Sequence, residues 1–437
     1  MPATFRIKLL TVFVALVAAT ILVRLFSVSI LQHDTYVAQA EEQQNVERDI
    51  MPRRGAIFVQ DAASGSPSLV AQSVERFALS ATPKFVTNKR DYAAAVASLS
   101  GGEVQQLVDE LEKDTYYMNP IVRGLTKEQV EEYEAKLNEV AERIVPGTRA
   151  AQINFDSSQG DILYFINGFF FIREFYRVYP EASLMGQVMG FVNSKGEGRY
   201  GFEEKFDTEL KGYSGRLRLE RDSEGRLLSQ QEAIEGRDGT NFELSIDRNV
   251  QQFVESALAE QVKDAEAEGG TVIVMNPKNG EIVAMASTPN YDPNNYRSVA
   301  EQDIGLFDNP AISKQWEPGS IFKPLVMAAA IDQDLVTKDT KGKFGASVTV
   351  DTHVINTALN KAYGEETMTE VLVNSDNVAM VWIADKLGNQ RLADYVSKFG
   401  FGQQTGVDLR NEISGSVLPV KQWRNINRAT TSFGQGI

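Results

Sequence analysis

A serine and a lysine three residues apart, Ser320 and Lys323 in the stretch Trp-Glu-Pro-Gly-Ser-Ile-Phe-Lys-Pro at 316–324, form a potential nucleophile and base. A serine hydroxyl attacks a carbonyl only once a neighbouring group takes its proton. Three residues along a helix make about one turn, so the two side chains would share a face. Pro318-Gly319 supplies a tight turn that starts the helix at Ser320, and Leu325 to Ile331 is apolar nearly all round, which predicts a buried helix. A lysine on such a helix is desolvated, and desolvation favours the neutral amine that can act as a base. Taken alone, the spacing also fits an N-cap serine followed by a surface lysine, and a chain this long holds about one Ser-x-x-Lys by chance.

A second polar group follows downstream at Ser375-Asp376-Asn377. Thr367 and Glu370 read as a capping box that opens a short helix through Val371, Leu372 and Val373. The triplet then interrupts the pattern before a second helical stretch, Val378 to Leu387. Ser, Asp and Asn are the preferred N-caps, which is one reading of the triplet. The other is an elbow between two buried helices that offers a hydroxyl and an amide to a substrate.

The elements expected to position these residues lie on either side. Asp247 caps a helix carrying Val250, Phe253, Val254, Ala257, Leu258 and Val262 on one stripe, ended by Gly269-Gly270. Residues 271–276 and 281–286 form a hairpin around Asn279-Gly280. The helix from Ser320 is expected to pack on an antiparallel sheet that includes this hairpin. Towards the N-terminus, residues 32–50 read as a polar helical stalk. A strand begins in 52–58, strands recur at 77–81 and 162–178, and 103–145 is helical with apolar stripes. Residues 220–239, charged and glycine-containing, read as a linker.

The 437 residues are 43% apolar and 24% charged, enough for two or more globular domains, and the net charge of −15 argues against a nucleic-acid partner. Cysteine is absent, and His33 and His353 are the sole histidines, which excludes thiolate zinc sites, cysteine nucleophiles and a histidine-rich metal centre. No Gly-x-Ser-x-Gly elbow accompanies either histidine. Residues 9–31 are mostly apolar, with Arg24 their one charged residue, and long enough to cross a bilayer. Arg6 and Lys8 before them place the N-terminus in the cytoplasm and the rest outside. A cleaved signal peptide is the alternative, but the apolar run continues past Arg24, which favours a retained anchor.

With Glu-Pro-Gly before Ser320, Lys-Pro closing that motif and Ser-x-Asn at 375–377, residues 240–437 resemble the transpeptidase domain of the penicillin-binding proteins, which share the fold of serine β-lactamases. Leu244-Ser-Ile-Asp247, Met275-Asn-Pro-Lys-Asn-Gly280, Met285-Ala-Ser-Thr-Pro-Asn290 and Ser432-Phe-Gly-Gln-Gly-Ile437 agree. Arg53, Arg54 and Gly55, with Arg177-Val-Tyr-Pro180, Gly190-Phe-Val192 and Gly201-Phe-Glu203, resemble the non-catalytic pedestal, or dimerisation domain, of the class B members. Nothing in 40–235 resembles the glycosyltransferase module of the class A enzymes. One loop departs from the family pattern: Val59 to Gly65 stands where an Asp-Arg-Asn-Gly is common.

The resemblance implies an α+β multidomain chain. Residues 1–8 form a cytoplasmic tail, 9–31 a transmembrane helix, 32–235 a stalk and mixed α/β pedestal, and 240–437 the N-terminal part of a transpeptidase domain with an antiparallel sheet flanked by helices. It implies a peptidoglycan D,D-transpeptidase of the bacterial cytoplasmic membrane that needs no cofactor and no metal. Ser320 would be the nucleophile, Lys323 the general base, Ser375 a proton relay and Asn377 a substrate ligand. Arg53, Gly55, Arg177 and Glu203 would hold the pedestal together. Expected partners are peptidoglycan stem peptides, β-lactam antibiotics, the membrane, a glycosyltransferase and other cell-wall synthesis proteins. The short stalk at 24–33 resembles the cell-division type more than the side-wall type. The family's Lys-Thr-Gly strand is not met before Ile437, so the chain reads as C-terminally truncated and the 437 residues alone as inactive. Two alternatives stay open: a membrane-tethered scaffold without turnover, and a D,D-carboxypeptidase or β-lactamase-like hydrolase.

Overall fold

The computed structural model describes residues 3–33, 36, 45–113, 115, 118–146, 162–221, 227–234 and 236–437. The chain divides into two compact units that interleave in sequence. One comprises Met1–Val59, Pro67–Pro180 and Thr208–Leu244, and the other Gln60–Ser66, Glu181–Asp207 and Ser245–Ile437.

The first unit is built on the long strand Ser68–Ala81, which pairs antiparallel with Phe169–Val178 in register from Ala81 opposite Phe169 to Gln72 opposite Val178. Ile162–Ile166 continues the sheet beyond Phe169–Val178, so the expected strand at 162–178 is a hairpin turning at Asn167-Gly168. Helices Lys89–Ser100, Val104–Leu111 and Lys127–Ile144 contribute to one core with this sheet. The stripe Val130, Tyr133, Leu137 and Val140, read from its helical spacing, is buried there with Phe77, Leu79 and Phe171. Thr126 and Gln129 close a capping box at the start of the last helix.

Two expectations in this unit need correction. The helical stalk expected over 32–50 falls largely outside the described residues, and its described end, Asn45–Ile50, is a strand. The linker expected over 220–239 is also largely strand: Gly215–Arg221 pairs with Asn45–Ile50 on one side and with Leu227–Ile234 on the other, 222–226 and 235 lying outside the described residues. Charged, alternating sequences such as Gly-Arg-Leu-Arg-Leu-Glu-Arg carry no strong local preference, and pairing between segments far apart in sequence decides them.

Among the described residues, no helix is long and apolar enough to cross a membrane. The expected span 9–31 is nevertheless helical, within Ala3–Phe26 and the π-helical turn Ser27–Leu31. The side chains of 3–12 and 15 lie outside the described residues, while Phe13, Leu16, Leu22, Val23 and Ile30 are exposed.

In the second unit, Gly270–Met275 and Ile282–Thr288 form the expected hairpin, with Gly280 at φ +80° in its turn. Helix Arg248–Asp264 covers it through Val254 and Leu258 against Ala284 and Ala286. Phe253, placed on that stripe by spacing, is exposed instead. Asp247 caps this helix by accepting the N–H groups of Asn249 and Val250. Its other oxygen takes the N–H of Ala62, so the loop that departs from the family pattern seats on the cap. Segment 181–207 packs with this unit, through Phe191 stacked on Tyr296 at 4.4 Å beside Phe307 and Tyr291.

Helix Lys323–Asp332 packs on the long helix Asn377–Lys398, in a core of Phe322, Val326, Ala330, Val378, Ile383 and Leu387. The hairpin takes no part in that core, contrary to expectation. A helix apolar on every side needs cover all round, and a second helix supplies more of it than one hairpin. The long helix breaks at Gly388 (φ +74°), so its first segment ends at Leu387 as the sequence predicts.

Candidate active site

The turn that presents Ser320 is a single 3-10 coil, Gly319–Phe322, running directly into the helix that starts at Lys323. Residues three apart eclipse one another in a 3-10 coil, so Ser320 and Lys323 stand on the same face. Gly319 has φ +62°, a conformation that suits glycine. Its N–H is held by the carbonyl of Gly434 at 2.8 Å, and Glu317 accepts the N–H of Gly436 at 2.7 Å. The terminal Ser-Phe-Gly-Gln-Gly-Ile stretch is therefore the buttress of the serine turn. A Cβ on Gly434 would lie 2.1 Å from the Gly319 oxygen.

Ser320 is exposed, whereas Lys323 is 1% exposed. The Lys323 Nζ donates to Ser375 O at 2.7 Å, Ser375 Oγ at 2.9 Å and Asn377 Oδ1 at 2.6 Å. Burial pushes the amine down to about 8, opposed by the negative charge of Asp376. Among the described residues, Ser320 Oγ makes no hydrogen bond to Lys323, whose three donors are all committed to the elbow. The structure thus joins three of the four expected residues directly and leaves the serine free on the same face.

The elbow is built by local rules. Thr367 and Glu370 close the expected capping box on helix Met368–Val373. Asp376 accepts the N–H groups of Val378 (2.7 Å) and Ala379 (3.1 Å) and caps the long helix. Between them, Ser375 has φ +53°, a left-handed conformation that costs a non-glycine residue energy and that collects at functional sites. The Asn377 amide nitrogen donates to Asn356 O at 3.0 Å, which aims its oxygen at Lys323. Both polar atoms of Asn377 are thus spoken for, and a substrate amide would have to compete with Asn356 or Lys323.

The residues expected to hold the pedestal separate by unit. Arg177 Nη1 donates to Gly55 O at 2.7 Å, Gly55 N–H to Leu210 O at 2.8 Å and Arg53 N–H to Asp238 Oδ1 at 2.8 Å, all in the first unit. A Cβ on Gly55 would lie 1.9 Å from Thr240 O, which explains the glycine. Glu203 belongs to the second unit, fully buried in helix Gly201–Lys205. Sequence reasoning gave no role to Asn356, to Gly434 or to Glu366, a buried acid behind the elbow; the Glu365-Glu366 pair looks like solvated charge.

Residues 270–437 match the family model of the penicillin-binding protein transpeptidase domain, and residues 49–244 that of the penicillin-binding protein dimerisation domain. The chain belongs to the class B penicillin-binding proteins. It is 31% identical over 320 residues to stage V sporulation protein D of Bacillus subtilis, a match covering 72% of this chain and 49% of that protein. It is 33% identical over 275 residues to the peptidoglycan D,D-transpeptidase FtsI of Buchnera aphidicola from Schizaphis graminum, covering 62% and 46%. This penicillin-binding protein therefore spans about half the length of these curated relatives. The crystal structure of penicillin-binding protein 2X from Streptococcus thermophilus shares its fold, with a TM-score of 0.68 and 21% identity over 90% of this chain and 57% of that one.

Proposed function

We propose that this protein is a serine D,D-transpeptidase that cross-links peptidoglycan stem peptides. The observation that carries the proposal is the buried Lys323 amine, bonded at once to Ser375 Oγ and Asn377 Oδ1 on the face shared with the exposed Ser320. Ser320 Oγ attacks the carbonyl of the penultimate D-alanine, passing its proton to the neutral Lys323 amine. The C–N bond breaks, Ser375 relays the proton to the departing nitrogen, and D-alanine leaves an ester on Ser320. The amine of a second stem peptide attacks that ester, forms the new amide and returns the hydroxyl. The N–H of Ser320 lies in the first turn, where amides have no intrahelical acceptor, and donates to the developing oxyanion. Asn377 orients Lys323 and meets the substrate amide when Asn356 releases it. None of these steps calls for a metal or organic cofactor.

A β-lactam acylates Ser320 by the same attack, since its ring amide is cleaved as the D-Ala-D-Ala bond is. Residues 9–31 anchor the protein in the bacterial cytoplasmic membrane with the N-terminus inside, and their exposed apolar side chains support that reading. The enzyme works beside a glycosyltransferase in cell division, the role its short stalk favours. The test is labelling of the full-length protein by fluorescent penicillin: native protein labels and Ser320→Ala does not. Labelling that survives Ser320→Ala refutes the assignment.

A further inference from the structure

The elbow that carries Ser375 is backed by two carboxyl groups, neither of which has a role in the steps above. Glu366, 3% exposed, lies on the strand Gly364–Thr367, and Asp376, 0% exposed, caps the long helix. Glu366 Oε1 accepts from Asn374 Nδ2 at 2.6 Å, and Asp376 Oδ1 accepts its two backbone N–H groups. The other oxygens, Glu366 Oε2 and Asp376 Oδ2, are both buried with no donor facing them. Asn374, two residues before Asp376, holds Glu366 against the elbow at 2.6 Å, so the two unpartnered oxygens belong to side chains buried behind the same turn. Two buried carboxylates there would repel each other and leave both oxygens without a donor; one carboxylic acid and one carboxylate can satisfy each other.

We propose that Glu366 is a positioning residue of this active site, holding one proton that it donates to Asp376 Oδ2 and so fixing the Ser375–Asn377 elbow against Lys323. The inference rests on the transpeptidase reading of that elbow. Asp376 already accepts two backbone N–H groups at the start of a helix, which makes its free oxygen the acceptor and Glu366 the donor. Burial pushes the Glu366 carboxyl up, Asn374 opposes this, and Asp376 and then Glu370 add to it. The remaining neighbours do not neutralise the pair. Glu370 is spent on the Thr367 cap. On the adjacent strand Gly342 stands opposite Glu366, Lys341 is paired with Glu365, and Lys343 is exposed. Lys323 lies across the elbow, bonded to Ser375 and Asn377.

A carboxyl raised in the folded state favours folding at low pH, and that contribution is lost as pH rises through its folded value. The elbow should therefore loosen as Glu366 ionises. Glutamine can copy the protonated acid, its oxygen accepting from Asn374 and its N–H donating to Asp376; alanine cannot.

The experiment compares native full-length protein with Glu366→Gln and Glu366→Ala, by thermal melting across pH and by the rate of acylation with fluorescent penicillin. Glu366→Gln is expected to acylate within about threefold of native and to lose the Glu366-dependent fall in melting temperature as pH rises. Glu366→Ala leaves Asp376 Oδ2 buried and unpaired, and is expected to acylate about tenfold or more slowly. Glutamine as slow as alanine, alanine as fast as native, or a glutamine variant with the native melting profile would each overturn the proposal. If native protein melts normally but does not acylate, the transpeptidase reading fails and the melting profile still decides the role of Glu366. If alanine does not fold, the glutamine variant decides it.

Discussion

To act as the proposed base, Lys323 must first lose a proton, and its burial sets the pH at which that happens. The amine is moved from 10.5 to about 8. At about 1.4 kcal/mol per unit, burial disfavours the ammonium by roughly 3 kcal/mol, with little surface screening to discount for a side chain 1% exposed. At about pH 7, roughly one lysine in ten is then neutral, against about one in three thousand for an unperturbed amine. Acylation should rise with pH through an inflection near 8. Lys323→Arg, charged at every accessible pH, should lose about 10²–10⁴ in rate and the inflection with it. The assay is the rate of covalent labelling by a fluorescent penicillin under single-turnover conditions across pH. Stability carries the same signature. Between about 8 and about 10.5 the unfolded lysine binds a proton that the folded one has released, so the Lys323 contribution to stability rises with pH in that window. A rate profile flat through 8, an inflection near 10, or an arginine variant within about tenfold of native would refute the argument that burial makes this lysine a base.

Two further substitutions probe the same geometry. Asn377→Asp places a carboxylate 2.6 Å from Nζ, which favours the ammonium, so the inflection of the acylation profile should move up by about one unit or more. Gly434→Ala drives a Cβ to 2.1 Å from Gly319 O at a backbone angle of φ +77°; it should displace the serine turn and slow acylation by about tenfold or more, with a melting-temperature loss of a few degrees.

The candidate site residues were legible because their spacing is local. One coil joins Ser320 to Lys323, and a capping box announces the elbow before Ser375. Hairpin 270–288 was legible from Asn279-Gly280, and the stripe in 127–144 from its period. The illegible parts are those decided by distant pairing. Asn45–Ile50 and Gly215–Arg221 become strands only because they meet each other. Glu366 looks like half of a solvated acidic pair until the strand buries it behind Asp376. Gly434 looks like an ordinary turn glycine until it is seen against Gly319. That Lys323 would spend all three donors on the elbow, and none on Ser320, depends on a rotamer that no spacing reports.

The account stands or falls on Ser320 as the group that becomes acylated. Full-length protein treated with a β-lactam, digested and analysed by mass spectrometry should carry one adduct, on Ser320, and Ser320→Ala should carry none. An adduct on any other residue, or one that persists in Ser320→Ala, would contradict it.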